Sequence, residues 1–138
     1  MTTSPRLDIV MEARKWLGVR FRHQGRSRSW GVDCVGLIYV VGSALDLMHY
    51  DYRGYDRDSS AEDIAKHFDL AGFREKDIPL PGDVLLLRDH ITPCHVAIYS
   101  GGLSAIHAHA CARRVVERKY TNPNGVVGCY AYPGIDDG

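Results

Sequence analysis

The chain has 138 residues, 45% of them hydrophobic and 25% charged, which suits one globular domain with its own core and is too little for two. Its 17 Lys and Arg balance 17 Asp and Glu, so the formal net charge is zero and a generic nucleic-acid binder is excluded. Four cysteines, at 34, 94, 111 and 129, form neither a CxxC pair nor a disulfide-framework spacing, so free thiols are expected.

The first 19 residues lack the 7–15-residue apolar core of a signal peptide and carry charges throughout, so synthesis in the cytoplasm is expected. The longest apolar stretch, Val35 to Met48, is interrupted by Gly36, Gly42, Ser43 and Asp46 and is too short for a membrane span.

Ser4-Pro5 reads as an N-cap followed by proline at the first helical position, with Leu7, Val10, Met11 and Leu17 as the inner face and Gly18 as the stop. Residues 19 to 32 are polar and glycine-containing and read as a loop. Four arginines crowd it (Arg20, Arg22, Arg26 and Arg28), either as a solvated loop or as contacts for substrate carboxylates. From Asp33 to about Leu47 apolar residues fall on every side, which predicts a helix buried all round.

Residues 49 to 58 look irregular and acidic. A shorter helix follows Ser60, with Ala61, Ile64, Ala65 and Phe68 inward and Gly72 as its end. After Phe73 the period changes, and short, turn-bounded, β-rich segments follow. Pro81-Gly82-Asp83 is a turn, and strands are expected at Val84–Leu87, His95–Tyr99, Ala105–Ala110, Val115–Tyr120 and Val126–Tyr132. Helices first and strands second predict an α+β fold, a single domain over residues 1–138 with helices packed on an antiparallel sheet.

Within that frame Cys34 is the candidate nucleophile. With Asp33 at the N-cap it falls in the first turn of a buried helix, where unpaired N–H groups and the helix dipole favour a thiolate. The candidate base comes from the strands. A Ser100-Gly101-Gly102 loop sets His95 opposite His107, with Cβ atoms roughly 5 Å apart. A Gly101-Gly102-Leu103 loop sets it opposite His109, and a two-residue Gly-Gly loop sets it opposite Ala108. A zinc site from Cys94, His95, His107, His109 and Cys111 is disfavoured, since Cys94 and His95 point to opposite faces. No metal and no cofactor is expected, and His23, His49, His67 and His90 read as surface or loop residues.

Four motifs stand in order: Gly31-Val32-Asp33-Cys34-Val35-Gly36-Leu37, Pro81-Gly82-Asp83-Val84, His95-Val96-Ala97-Ile98-Tyr99 and Ile106-His107-Ala108. Together they resemble the NlpC/p60-type cell-wall cysteine peptidases from roughly Met11 to Tyr132. Trp16-Leu17-Gly18 and Arg22-His23-Gln24-Gly25-Arg26 are similar to the short phage-associated and gene-transfer-agent members.

The resemblance implies a papain-like fold with Cys34 as nucleophile, His95 as base and His107, rather than His109, orienting the base. It implies murein stem peptides as substrate, cleaved between D-γ-glutamate and the next diamino acid. Phage tail proteins follow as partners and a phage-like particle as the setting. Val35 replaces the usual small residue after the cysteine, and Phe21 stands where the family has an oxyanion-stabilising tyrosine. Losing one such donor costs about 10²–10³ in rate. His23 and Gln24 are the nearest replacements in sequence. The alternatives are a non-catalytic murein-binding or tail-assembly component, and an amidase or acyltransferase on the same dyad.

Overall fold

The computed structural model describes residues 5–55, 60–88, 95–120 and 125–135. Helix α1 (Pro5–Arg14) is followed by a short hairpin, β1 (Arg26–Ser27) and β2 (Gly31–Val32), and then by α2 (Cys34–Ala44). Helix α3 (Ala61–Leu70) precedes strands β3 (Arg74–Glu75), β4 (Val84–Leu87), β5 (His95–Gly101), β6 (Ser104–His109), β7 (Arg114–Lys119) and β8 (Val126–Ala131). Six strands form one antiparallel sheet in the order β3-β8-β4-β5-β6-β7. The fold is α+β, as expected. No helix among the described residues is long and apolar enough to cross a membrane.

The sheet is apolar on both faces. Val84, Leu86, Val96, Ile98, Ile106 and Ala108 join Leu37, Ile38 and Val41 of α2 in the main core. Leu85, Leu87, Ala97, Ala105 and Cys129 form a second cluster on the other face. Strand β4 is therefore buried at all four positions, which explains its unbroken Val84-Leu85-Leu86-Leu87. Helix α2 packs across β5 and β6, with no position from Cys34 to Gly42 exposed.

Two expectations are corrected and one that the sequence left open is decided. Helix α1 buries Ile9, Val10 and Ala13, while Leu7, Met11 and Leu17 are exposed. Both stripes have near-helical spacing, and the partner surface chose between them. The polar stretch 19–32 is tied into the sheet, since Arg20 bridges Arg114, Phe21 bridges Val32, and Val115 N–H donates to the Val19 carbonyl at 2.8 Å. Finally, β5 and β6 pair as Ile98 with Ile106, Tyr99 with Ala105 and, past an irregularity, Gly101 with Ser104. Carried on, that register sets His109 across from His95 and puts His107 on the diagonal. The turn is Gly102-Leu103, and Gly101 has φ +115°, open essentially to glycine alone.

Candidate functional site

Cys34 begins α2 because Asp33 caps it. Asp33 is extended (φ −103°, ψ −175°), and its Oδ1 accepts the Gly36 N–H at 2.8 Å. That satisfies one of the donors a helix start leaves without an intrahelical partner. The first turn contains no acidic residue, and Cys34 is half-buried. The expected N-cap and the expected place of Cys34 are both present.

Around Asp33 the structure assembles more than the sequence announced. Asp33 Oδ2 accepts the Gln24 N–H at 2.6 Å and the Tyr55 hydroxyl, and His23 Nδ1 lies 3.8 Å away. Gln24 adopts φ +59°, a left-handed conformation that aims its N–H at the carboxylate, and its side chain donates to the Tyr55 carbonyl at 2.9 Å. His23 sits edge-on to the Tyr55 ring at 5.6 Å. Burial, reinforced by the Asp33 charge, pushes the Tyr55 phenol well above its ordinary value, so it stays a neutral donor.

Arg26 closes the network. Nη1 reaches Asp33 Oδ1 at 3.2 Å and Nε reaches Asp51 Oδ1 at 2.9 Å, while Nη2 reaches the Tyr52 carbonyl at 2.8 Å. The solvated-loop reading of the arginine cluster therefore fails for Arg26. Arg22 lies over Trp30 at 5.0 Å and Arg28 over Trp16 at 5.2 Å. Tyr55, Asp51 and Arg26 carried no sequence signal of this role, because their partners lie up to 31 residues away along the chain.

Phe21 is half-buried against the main core, and its N–H donates to the Arg113 carbonyl at 2.9 Å. His67, expected at the surface, stacks on Tyr52 with ring centroids 3.5 Å apart, and its Nδ1 pairs with the Tyr50 hydroxyl at 2.7 Å. His49 is exposed beside Asp46, and His90 and Cys94 lie outside the described residues.

The strand histidines form one cluster. His95 and His107 are stacked at 5.3 Å and both are buried. His109 lies edge-on to them, 6.0 Å from His95 and 5.0 Å from His107. Its Nδ1 accepts the N–H groups of Cys111 and Ala112 at 3.1 and 3.2 Å, so its neutral ring carries the proton on Nε2. All three imidazoles line one cavity with Leu87, Ala105 and Tyr120. Among the described residues no group of three His, Cys, Asp or Glu side chains is arranged to hold a metal ion.

A second, apolar cleft lies between α2 and β5. Val35, the neighbour of Cys34, and Val96, the neighbour of His95, line it together with Ile38, Met48, Tyr50 and Tyr52. The start of α2 and the start of β5 therefore meet at one cleft. Elsewhere, burial and the nearby Asp83 charge push the Cys129 thiol up to about 11, which makes it inert at neutral pH.

A sequence model of the NlpC/P60 family matches residues 18–126. In structure the chain resembles NlpC1 of Trichomonas vaginalis (TM-score 0.72, 21% identity), covering 96% of this chain but only 45% of that protein. It also resembles the NlpC/p60 domain of the peptidoglycan hydrolase SagA (TM-score 0.61, 25% identity), covering 92% of this chain and 97% of that domain. A third likeness is RipD of Mycobacterium tuberculosis, a non-catalytic NlpC/p60 domain protein adapted to peptidoglycan binding. It has a TM-score of 0.60 at 14% identity and covers 94% and 98% of the two chains. The shared architecture is papain-like. No curated protein sequence matches the chain.

Proposed function

Because the chain belongs to the NlpC/P60 family, we propose that it is a cysteine peptidase of the murein stem, cleaving after D-γ-glutamate and before the diamino acid. The observation that carries this reading is Cys34 at the Asp33-capped start of α2, a helix packed on β5, the strand that begins with His95. His95 takes the Cys34 proton, and the thiolate attacks the amide carbonyl carbon. The resulting oxyanion is held by the Cys34 N–H at the start of α2. His95 then protonates the leaving amine as the C–N bond breaks. Water, deprotonated by His95, attacks the thioester and expels the Cys34 thiolate. His107, stacked on His95, holds that ring in place.

Digestion of purified murein, with fragments analysed by mass, tests the proposal. The expected product is a fragment with a new free amine on the diamino acid. A product mass showing acyl transfer, or loss of an amide group, would favour the related amidase or acyltransferase chemistry. Intact murein that still pellets the protein would favour the binding reading, which RipD exemplifies and the absent Phe21 hydroxyl supports. The likeness of Trp16 to Arg26 to phage-associated members supports a phage-like particle as the setting, with tail proteins as partners.

Phe21 supplies a graded test. The Phe21→Tyr change adds one hydroxyl to a half-buried ring without altering its outline. The Tyr55 hydroxyl is committed to Asp33, leaving room for a further oxyanion donor. The expected result is a kcat raised by up to about tenfold, equivalent to about 1.4 kcal/mol of transition-state stabilisation. An unchanged kcat would mean that another donor already serves the oxyanion.

A further inference from the structure

Asp33 has two effects on Cys34 that oppose one another. Its acceptor oxygen caps α2, yet a carboxylate one residue from the nucleophile disfavours a thiolate, and at 2% exposure water screens it little. The surrounding elements show what offsets it. Asp33 lies on the nucleophile's own segment, and His23 and Arg26 come from the preceding loop. Asp51 and Tyr55 come from the segment after α2, while β5 and β6, on which α2 packs, carry His95, His107 and His109.

Among the described residues Arg26 is the buried cation on Asp33, its side chain 7% exposed. Asp51 does not claim that charge alone, since Arg53 Nε is 2.6 Å from its other oxygen. Gly36 makes the fit possible: a Cβ there would lie 2.6 Å from Arg26 Nη1 and 2.4 Å from the Gly25 carbonyl oxygen. Glycine at this position lets the guanidinium lie against the first turn of α2.

We propose that Arg26 is a positioning residue whose buried charge offsets Asp33 and keeps the first turn of α2 electropositive, so that Cys34 ionises readily. The proposal rests on Cys34 being the nucleophile and adds the residue that sets its ionisation. Burial works against the charge on Arg26, but the bond to Asp51 and the neighbouring Tyr55 and Asp33 overcome it, raising its pKa above the usual value. The cation is permanent across the working pH range. Its five donors are what a site facing Asp33, Asp51 and two carbonyls requires.

The test is the pH dependence of iodoacetamide labelling at each cysteine of the full chain, read by peptide mass. In the wild type Cys34 should titrate below the exposed Cys111, and buried Cys129 should stay unlabelled. Arg26→Met should raise the Cys34 midpoint by about one unit or more, which slows labelling near pH 6 about tenfold. Arg26→Lys, which keeps the charge, should recover most of that loss. Asp33→Asn, which keeps an N-cap acceptor and removes the opposing charge, should lower the midpoint.

Protection of Cys129 reports that each variant is folded, and if Arg26→Met exposes it, Arg26→Lys and Asp33→Asn decide. A low wild-type midpoint that Arg26→Met leaves unmoved in folded protein overturns the role of Arg26 alone. An Asp33→Asn midpoint equal to or above that of the wild type does the same. A wild-type Cys34 that titrates with Cys111 overturns the nucleophile assignment, and this inference with it.

Discussion

Cys34→Ala is expected to abolish hydrolysis of soluble murein stem peptides, lowering kcat by about 10⁴-fold or more, and His95→Ala should cost nearly as much. The two act as a unit, so the double variant should be scarcely worse than either single one. Folding is expected to survive. Cys34 is half-buried at the first position of α2, and alanine is the best helix former. The thermal midpoint of Cys34→Ala should therefore stay close to that of the wild type. Initial rates by chromatography of the released fragment, with a melting curve beside them, check both statements. A Cys34→Ala protein that cleaves at the wild-type rate would place the nucleophile elsewhere.

The largest effect on stability is expected at Asp83. Its carboxylate is fully buried and accepts Arg6 Nη1 at 2.7 Å, Lys76 Nζ at 2.8 Å and the Leu80 N–H at 2.8 Å. It thereby joins the start of α1, the residue after β3 and the turn before β4. The chain passes closely here: Gly82 has φ +93°, and a Cβ on it would lie 2.9 Å from the Arg6 carbonyl oxygen. Asp83→Ala removes the anion shared by two cations and leaves them facing a cavity built for it. Breaking such a buried set costs about 3–5 kcal/mol, and urea unfolding should show a correspondingly lower midpoint with an unchanged slope. A loss below about 1 kcal/mol would mean that Arg6 and Lys76 are solvated as well without it.

Much of the fold was legible because its signals are local. Asp33 three residues before the Gly36 N–H is a cap whatever lies around it, and so is Ser60, whose Oγ accepts the Asp63 N–H at 3.1 Å. The short β-rich stretches from Val84 to Ala131 lie where strands formed, and the apolar run after Cys34 became the helix on which the core is built. Strands β1, β2 and β3 span two residues each, too short for any periodicity to show.

The candidate site was legible as residue types and illegible as contacts. His95, His107 and His109 were all in view, but a one-residue difference in the β5–β6 turn changes which of them face each other. Glycine at 101 and an irregularity beside it made that choice. The inner face of α1 was likewise decided by its partner surface: of the expected Leu7, Val10, Met11 and Leu17 only Val10 is buried, and Ile9, Ala13 and Trp16 take the other inward places. Arg26 shows the limit most plainly. Its neighbours in sequence are polar and loop-like, and only the return of residues 51–55 to the start of α2 buries it between two carboxylates. By itself the sequence determined what depends on residues within one helical turn or one strand: the cap, the helix it starts, the strands and the family motifs. The tertiary structure alone decided register, the buried face of α1 and the charge balance around Cys34, since each depends on groups far apart in the chain whose meeting no local propensity encodes.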